Sequence, residues 1–157
     1  MQTIQSKILS FLALILLLSA CSSDSKSEVN QINPTLTFNT EQVVRDYLAA
    51  YNDHDIEAML TYLDDDVRWM SISGAELRVE TAGKQGLSDI LKEYFASLPS
   101  TRSEILNVAS NGNFLNAFEK ASWVDEQGET QSHCASSVYE LENGLIKNIW
   151  YYSSQAC

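Results

Sequence analysis

From Thr40 onward the apolar residues fall at helical spacing: Val43, Val44, Tyr47, Leu48 and Tyr51. Thr40-Glu41-Gln42 offers the N-terminal cap of that helix. A second helix starts at Asp55, with Ile56, Met59, Leu60 and Leu63 on one stripe, and Asp64-Asp65-Asp66 closes it. Residues 67–72 then alternate as a strand does. Gly83 precedes a third helix carrying Leu87, Ile90, Leu91, Tyr94 and Phe95 on one side, and Leu98-Pro99 stops it. The rest reads as strands separated by Asn111-Gly112-Asn113, Glu126-Gln127-Gly128 and Asn143-Gly144. Turns roughly fifteen residues apart predict consecutive antiparallel hairpins. Helix, helix, strand, helix and four strands make an α+β domain.

Ahead of that pattern lies an apolar run, residues 8–20, after the single Lys7. It is too short for a spanning helix, which needs ~20 apolar residues, and has the length of a signal-peptide core. Leu18-Ser19-Ala20-Cys21 resembles a bacterial lipobox. The resemblance implies cleavage before Cys21 and acylation of its thiol, palmitate-type chains supplying membrane attachment. An ordinary secretory signal that ends at a Cys is the alternative. Ser22 resembles the residue found in lipoproteins passed to the outer membrane, facing the periplasm, in a host with two membranes. Residues 22–39 are polar and Ser-rich without periodicity, as a tether is. The chain thus divides into a signal (1–20), an acylated Cys and tether (21–39) and a domain (40–157).

The formal net charge of the 157 residues is -11. Removing the signal takes away one Lys and no acid, so the domain and tether are more acidic still. Nucleic acid is excluded as a partner, because phosphate binding rests on clustered Lys and Arg. No motif calls for a cofactor. Asp64-Asp65-Asp66 is not read as a metal site, since no His or further ligand is spaced to join it.

The hairpins can be phased. With Glu126-Gln127-Gly128 as a three-residue loop, Asp125 pairs with Glu129. Leu115, Ala117, Glu119, Ala121 and Trp123 then share a face with His133, Ala135, Ser137, Tyr139 and Leu141. A two-residue loop at Asn143-Gly144 continues that face through Ile146, Asn148, Trp150 and Tyr152. An apolar surface with a few polar groups is the signature of a small-molecule site. Glu119, between Ala117 and Ala121, is the candidate acid or base, and His133 lies one diagonal away. The opposite face, with Phe118, Val124, Cys134 and Val138, is half apolar, which suits a sheet-to-sheet dimer. A one-residue slip would reverse each of these assignments.

Residues 44–59, containing Tyr51-Asn52-Asp53-His54-Asp55, and the following Leu63-Asp64-Asp65-Asp66-Val67-Arg68-Trp69 resemble the SnoaL-like branch of the nuclear transport factor 2-like superfamily. Lys84-Gln85-Gly86-Leu87 and Asn143-Gly144-Leu145-Ile146 match its third helix and its late hairpin. The resemblance implies a cone-shaped, curved mixed sheet packed against three helices, a cystatin-like roll with a pocket between the layers, and often a dimer. Tyr51, Trp69, Trp123, Ser137, Asn148, Trp150 and Tyr152 are then the ligand-facing set. In a superfamily that includes ketosteroid isomerase, Tyr47 falls where the oxyanion-hole Tyr belongs. The other two isomerase positions fall near Ser71 and Ser137, so isomerase machinery of that kind is not expected. His54 reads as a solvated loop residue.

Cys134 and Cys157 remain after acylation of Cys21. Outside the cytoplasm they can form a disulfide if the tail folds back; free thiols or a link between chains are the alternatives. Three functions stay open. The first is a lipid-anchored domain binding a small, largely apolar molecule. The second is a cyclase, isomerase or dehydratase using Glu119 with His133 or Tyr47. The third is a protein-interaction module with a vestigial pocket.

Overall fold

The computed structural model describes residues 39–157. The expected signal, Cys21 and all but the last residue of the tether lie outside the described residues. Helix α1 (Thr40–Asn52) is capped by Asn39, whose side-chain oxygen accepts the Gln42 N–H at 3.2 Å, one residue before the expected cap. Asp55 caps the short α2 (Ile56–Thr61) by accepting the Ala58 N–H at 2.9 Å. The third helix, α3 (Gly83–Ser97), buries Leu87, Leu91 and Phe95.

Strands β1 (Leu63–Ser73) and β2 (Glu76–Ala82) precede α3; β3 (Arg102–Asn111), β4 (Phe114–Val124), β5 (Thr130–Glu142), β6 (Leu145–Tyr152) and the two-residue β7 (Gln155–Ala156) follow it. The three aspartates open β1 instead of closing α2. Strand β2 escaped sequence reading because it is an edge strand, exposed over nearly its whole length, and shows no buried alternation.

The strands form one curved, unclosed sheet in the order β2-β1-β6-β5-β4-β3, with β7 added on β5. β1 and β6 are parallel; the other neighbours are antiparallel. The apolar stripes of α1 and α3 meet the inner face of the sheet. Val44, Tyr47, Leu48, Leu87, Leu91 and Phe95 share one core with Leu115, Tyr139, Ile146 and Ile149. Each such side chain contributes about 2 kcal/mol through the area it removes from water.

The β4–β5 hairpin has the expected phase. The Asp125 N–H reaches the Glu129 carbonyl at 2.9 Å, and Glu119 stands opposite Ala135. The β5–β6 hairpin does not keep its phase. Its turn, with Asn143 and Gly144 both in the left-handed region, pairs Leu141 with Ile146 as a two-residue loop should. The register then slips by one, so that Glu140 faces Asn148 and Tyr139 faces Ile149.

Lys147 is the extra residue of this bulge, and β1 is irregular opposite it. The Lys147 ammonium sits 2.7 Å from Asp64 Oδ1 and 3.9 Å from both Asp66 Oδ2 and Glu142 Oε2. Lys84 meets Asp65 at 2.8 Å, so each aspartate of the run has a lysine within 3.9 Å. The hydrogen bond from Lys147, then that from the Asp66 N–H, holds the Asp64 carboxyl below the usual carboxylate range. The slip corrects the expected face: Ile149 and Tyr151 point inward, while Asn148, Trp150 and Tyr152 take the outer parity. Asn148 is buried there between Glu140 Oε2, at 2.6 Å, and the Arg68 Nε that donates to it at 2.9 Å.

The tail folds back. β7 lies along β5 with Gln155 opposite Cys134, and Cys134 and Cys157 are joined by a disulfide, their α carbons 5.2 Å apart.

Candidate functional site

Burial along the inner face of the sheet sets the depth of the site. On β5 His133 is exposed, Ala135 half-buried and Ser137 buried; on β4 Trp123 and Ala121 are half-buried and Glu119 is 4% exposed. The space between this face and the helices is a cavity of about 400 Å³. Its mouth lies toward Trp123 and His133, and Glu119 lies deep within it. Tyr47, Leu48 and Tyr51 of α1, Leu87, Leu91 and Tyr94 of α3, and Trp69 and Tyr151 of the sheet supply the walls.

A carboxylate taken this far from water needs donors for its oxygens. Glu119 finds hydroxyls. Oε1 accepts from Ser137 Oγ and, at 2.8 Å, from the Tyr139 hydroxyl. Oε2 accepts from Ser103 Oγ at 3.1 Å. The Tyr151 hydroxyl lies 2.8 Å from that of Tyr139 and 3.5 Å from Oε2. Because Tyr139 gives its one proton to Glu119, Tyr151 donates to Tyr139 and stands at the edge of reach of Oε2.

The two oxygens differ in outlook. Ser137 and Tyr139 belong to the wall behind Oε1, whereas Ser103 and Tyr151 line the cavity beside Oε2. Oε2 is therefore the atom presented to a ligand.

The start of β3 is held by α1. The Asn52 side chain donates to the Ser103 carbonyl at 2.8 Å and accepts the Ser103 N–H at 2.7 Å. Buried Thr101 lies within 3.2 Å of the Tyr51 hydroxyl and 3.3 Å of the Tyr94 hydroxyl. His54, expected in solvent, instead stacks on Phe95 with ring centroids 4.1 Å apart and reaches the Thr101 carbonyl at 3.1 Å. Those contacts offset its left-handed backbone, with φ of 56°.

Tyr47 makes an edge-on contact with Tyr139, centroids 6.4 Å apart. It has no hydrogen-bond partner among the described residues. Burial, then the negative charge of Glu119, pushes the Tyr47 hydroxyl well above the ordinary tyrosine value. Burial does the same, first and foremost, for Tyr51, Tyr139 and Tyr151. All four therefore stay protonated and can act as donors.

The structure thus brings Glu119, Tyr47, Tyr51, Trp69, Trp123 and His133 around one cavity, with Tyr152 at its rim and Ser137 behind Glu119. It does not bring Asn148 or Trp150 there. His133 contacts Trp123 edge-on and lies 3.5 Å from Ser154 Oγ, with no hydrogen bond to Glu119. Sequence reading missed Tyr151, which the Lys147 bulge turns inward, and Ser103, whose strand carries little apolar alternation. Asn52 lies in the Tyr51-Asn52-Asp53-His54-Asp55 stretch that carries the family resemblance. Among the described residues no group of three or more His, Cys, Asp or Glu is placed to hold a metal ion.

A family model described as a SnoaL-like domain matches residues 44–149, and the chain belongs to that family. No curated protein matches it. Among solved structures it resembles an uncharacterized cystatin-fold protein from Novosphingobium aromaticivorans. That likeness has TM-score 0.62 and 21% identity, over 71% of this chain and 96% of the other. A putative polyketide cyclase from Xanthomonas campestris pv. campestris gives 0.56 and 20%, over 73% and 89%. An LEH-like epoxide hydrolase from M. tuberculosis gives 0.59 and 16%, over 74% and 84%. These likenesses establish the nuclear transport factor 2-like, cystatin-like fold.

The raised tyrosines carry a pH dependence. A hydroxyl whose folded value lies above its unfolded value stabilises the fold fully below pH ~10, and that stability is lost as pH rises further. Followed by tyrosinate absorbance, Tyr47, Tyr51, Tyr139 and Tyr151 should resist titration at pH ~11 and ionise together with alkaline unfolding. Smooth titration of all seven tyrosines in a folded protein contradicts this.

Proposed function

We propose that this chain is a lipid-anchored, extracytoplasmic domain that binds a small, largely apolar molecule in the cavity beneath its sheet. The observation that carries this reading is the cavity itself: about 400 Å³, walled by leucine and aromatic side chains, with one carboxylate deep inside. That volume lies in the range of small-molecule sites. An open cavity speaks against a vestigial pocket, since Trp69 and Trp123 line it without filling it. The names of two structural relatives, a putative polyketide cyclase and an epoxide hydrolase, point to small molecules of the same general kind. The anchor rests on Leu18-Ser19-Ala20-Cys21 and the Ser-rich tether behind it. Phe118 and Val124 remain exposed on the outer sheet face, where a homodimer would form.

A second reading, an acid–base enzyme of the cyclase, isomerase or dehydratase kind, is favoured by one feature. Glu119 touches the ligand space and is fixed by hydroxyls on both oxygens. Oε2 would take a proton from a bound substrate and return it at another atom, while the Tyr47 hydroxyl would donate to oxygen charge developing beside it. His133, at the mouth, is a candidate partner for substrate and not for Glu119.

Two measurements test these readings. Native mass spectrometry of the detergent-extracted full chain should show a small bound mass that disappears when Ala135→Trp fills the cavity. An empty wild-type protein that also takes up no apolar ring compound contradicts the binding reading. Metabolic labelling with a palmitate analogue should mark the wild type and not Cys21→Ser, and the variant should leave the membrane fraction. Unlabelled wild-type protein, or a variant that stays membrane-bound, contradicts the anchor.

A further inference from the structure

We propose that the ligand of this cavity is an organic cation, a protonated amine with an apolar body, whose ammonium group sits at Glu119 Oε2. This rests on the cavity being a ligand site, and it names the chemistry that site selects.

Three observations lead there. Glu119 is the one carboxylate among the lining residues, and that lining contains no Lys or Arg. Its side-chain partners among the described residues are neutral hydroxyls, and it is only 4% exposed. A buried charge without an opposite charge is an expensive arrangement, and a bound cation removes the imbalance.

Next, the two oxygens are unequally occupied. Oε1 has two close donors in the wall. Oε2 accepts from Ser103 at 3.1 Å, while the Tyr151 hydroxyl, 3.5 Å away, gives its proton to Tyr139, so Oε2 retains acceptor capacity on the cavity side. An ammonium N–H directed at Oε2 from the cavity would form a charge-assisted hydrogen bond there.

Finally, the cavity walls are rich in aromatic rings. Tyr47, Tyr51, Trp69, Trp123 and Tyr151 all line the cavity, with Trp69 and Tyr151 set edge-to-face at 6.1 Å between centroids. Aromatic faces attract the polarised methyl and methylene groups of an alkylammonium more than they attract a neutral hydrocarbon of equal shape. An anionic ligand would meet Glu119 with like charge, and a neutral hydrocarbon would leave Oε2 as it is. The net charge of -11 further favours the approach of cations.

The test compares two isosteres at pH 7. N,N-dimethylbenzylamine is protonated there, and isobutylbenzene is its neutral carbon counterpart. Binding is read from the fluorescence of the wild-type protein, since Trp69 and Trp123 line the cavity. The ammonium compound should bind at least about tenfold more tightly, and Glu119→Gln should abolish the preference while isobutylbenzene still binds. Equal affinity, or preference for the hydrocarbon, overturns the cation and leaves the apolar-ligand reading standing. Failure of both to bind overturns both. The wild-type comparison stands even if Glu119→Gln does not fold.

Discussion

The structure depends on how one carboxylate is held deep in a cavity by hydroxyl groups, with no Lys or Arg among the lining residues. Glu119 occupies an inner-face position among Ala117, Ala121 and Ala135, where it is only 4% exposed. The compensation is distributed. Ser137 and Tyr139 come from β5, Ser103 from β3, and Tyr151 of β6 supports Tyr139. Four strands, β3 to β6, must therefore be in register before the carboxylate is satisfied, which ties sheet pairing to the chemistry of the site. A partly satisfied network would be worse than an apolar core, so correct register and a complete site are selected together.

Features far from the cavity make sense in that light. Lys147, drawn to Asp64 at 2.7 Å, takes the extra place in β6, and the resulting slip turns Tyr151 inward to Tyr139. Asn52 clips the start of β3 through both amide atoms and so positions Ser103. An acidic run at the start of a strand and an Asn in a turn look like surface chemistry. Both act on the orientation of a buried carboxylate.

Much of the fold was legible, and the reasons are physical. The helical stripes on α1 and α3, and the Asp125–Glu129 turn that phases β4 against β5, are local signals, and Glu119 followed from them. The family motifs supplied the curved sheet and its helices. The phase of β6 was not legible, because a bulge sustained by a lysine and an aspartate distant in sequence has no periodicity to read. Asn148 and Trp150 were misplaced for that reason. β2 was missed because an exposed edge strand carries no buried stripe, and His54 because its stacking partner lies on another helix. Sequence-local patterns predict which elements exist; long-range pairs decide which face they present.

The most direct test of this dependence is a double-mutant cycle on unfolding free energy with Glu119→Gln and Tyr139→Phe. If the buried carboxylate and its hydroxyl donor act as a unit, the two losses should be coupled by about 1–3 kcal/mol, the double variant losing less than the sum. Additive losses, with coupling near zero, would contradict the role given to Glu119.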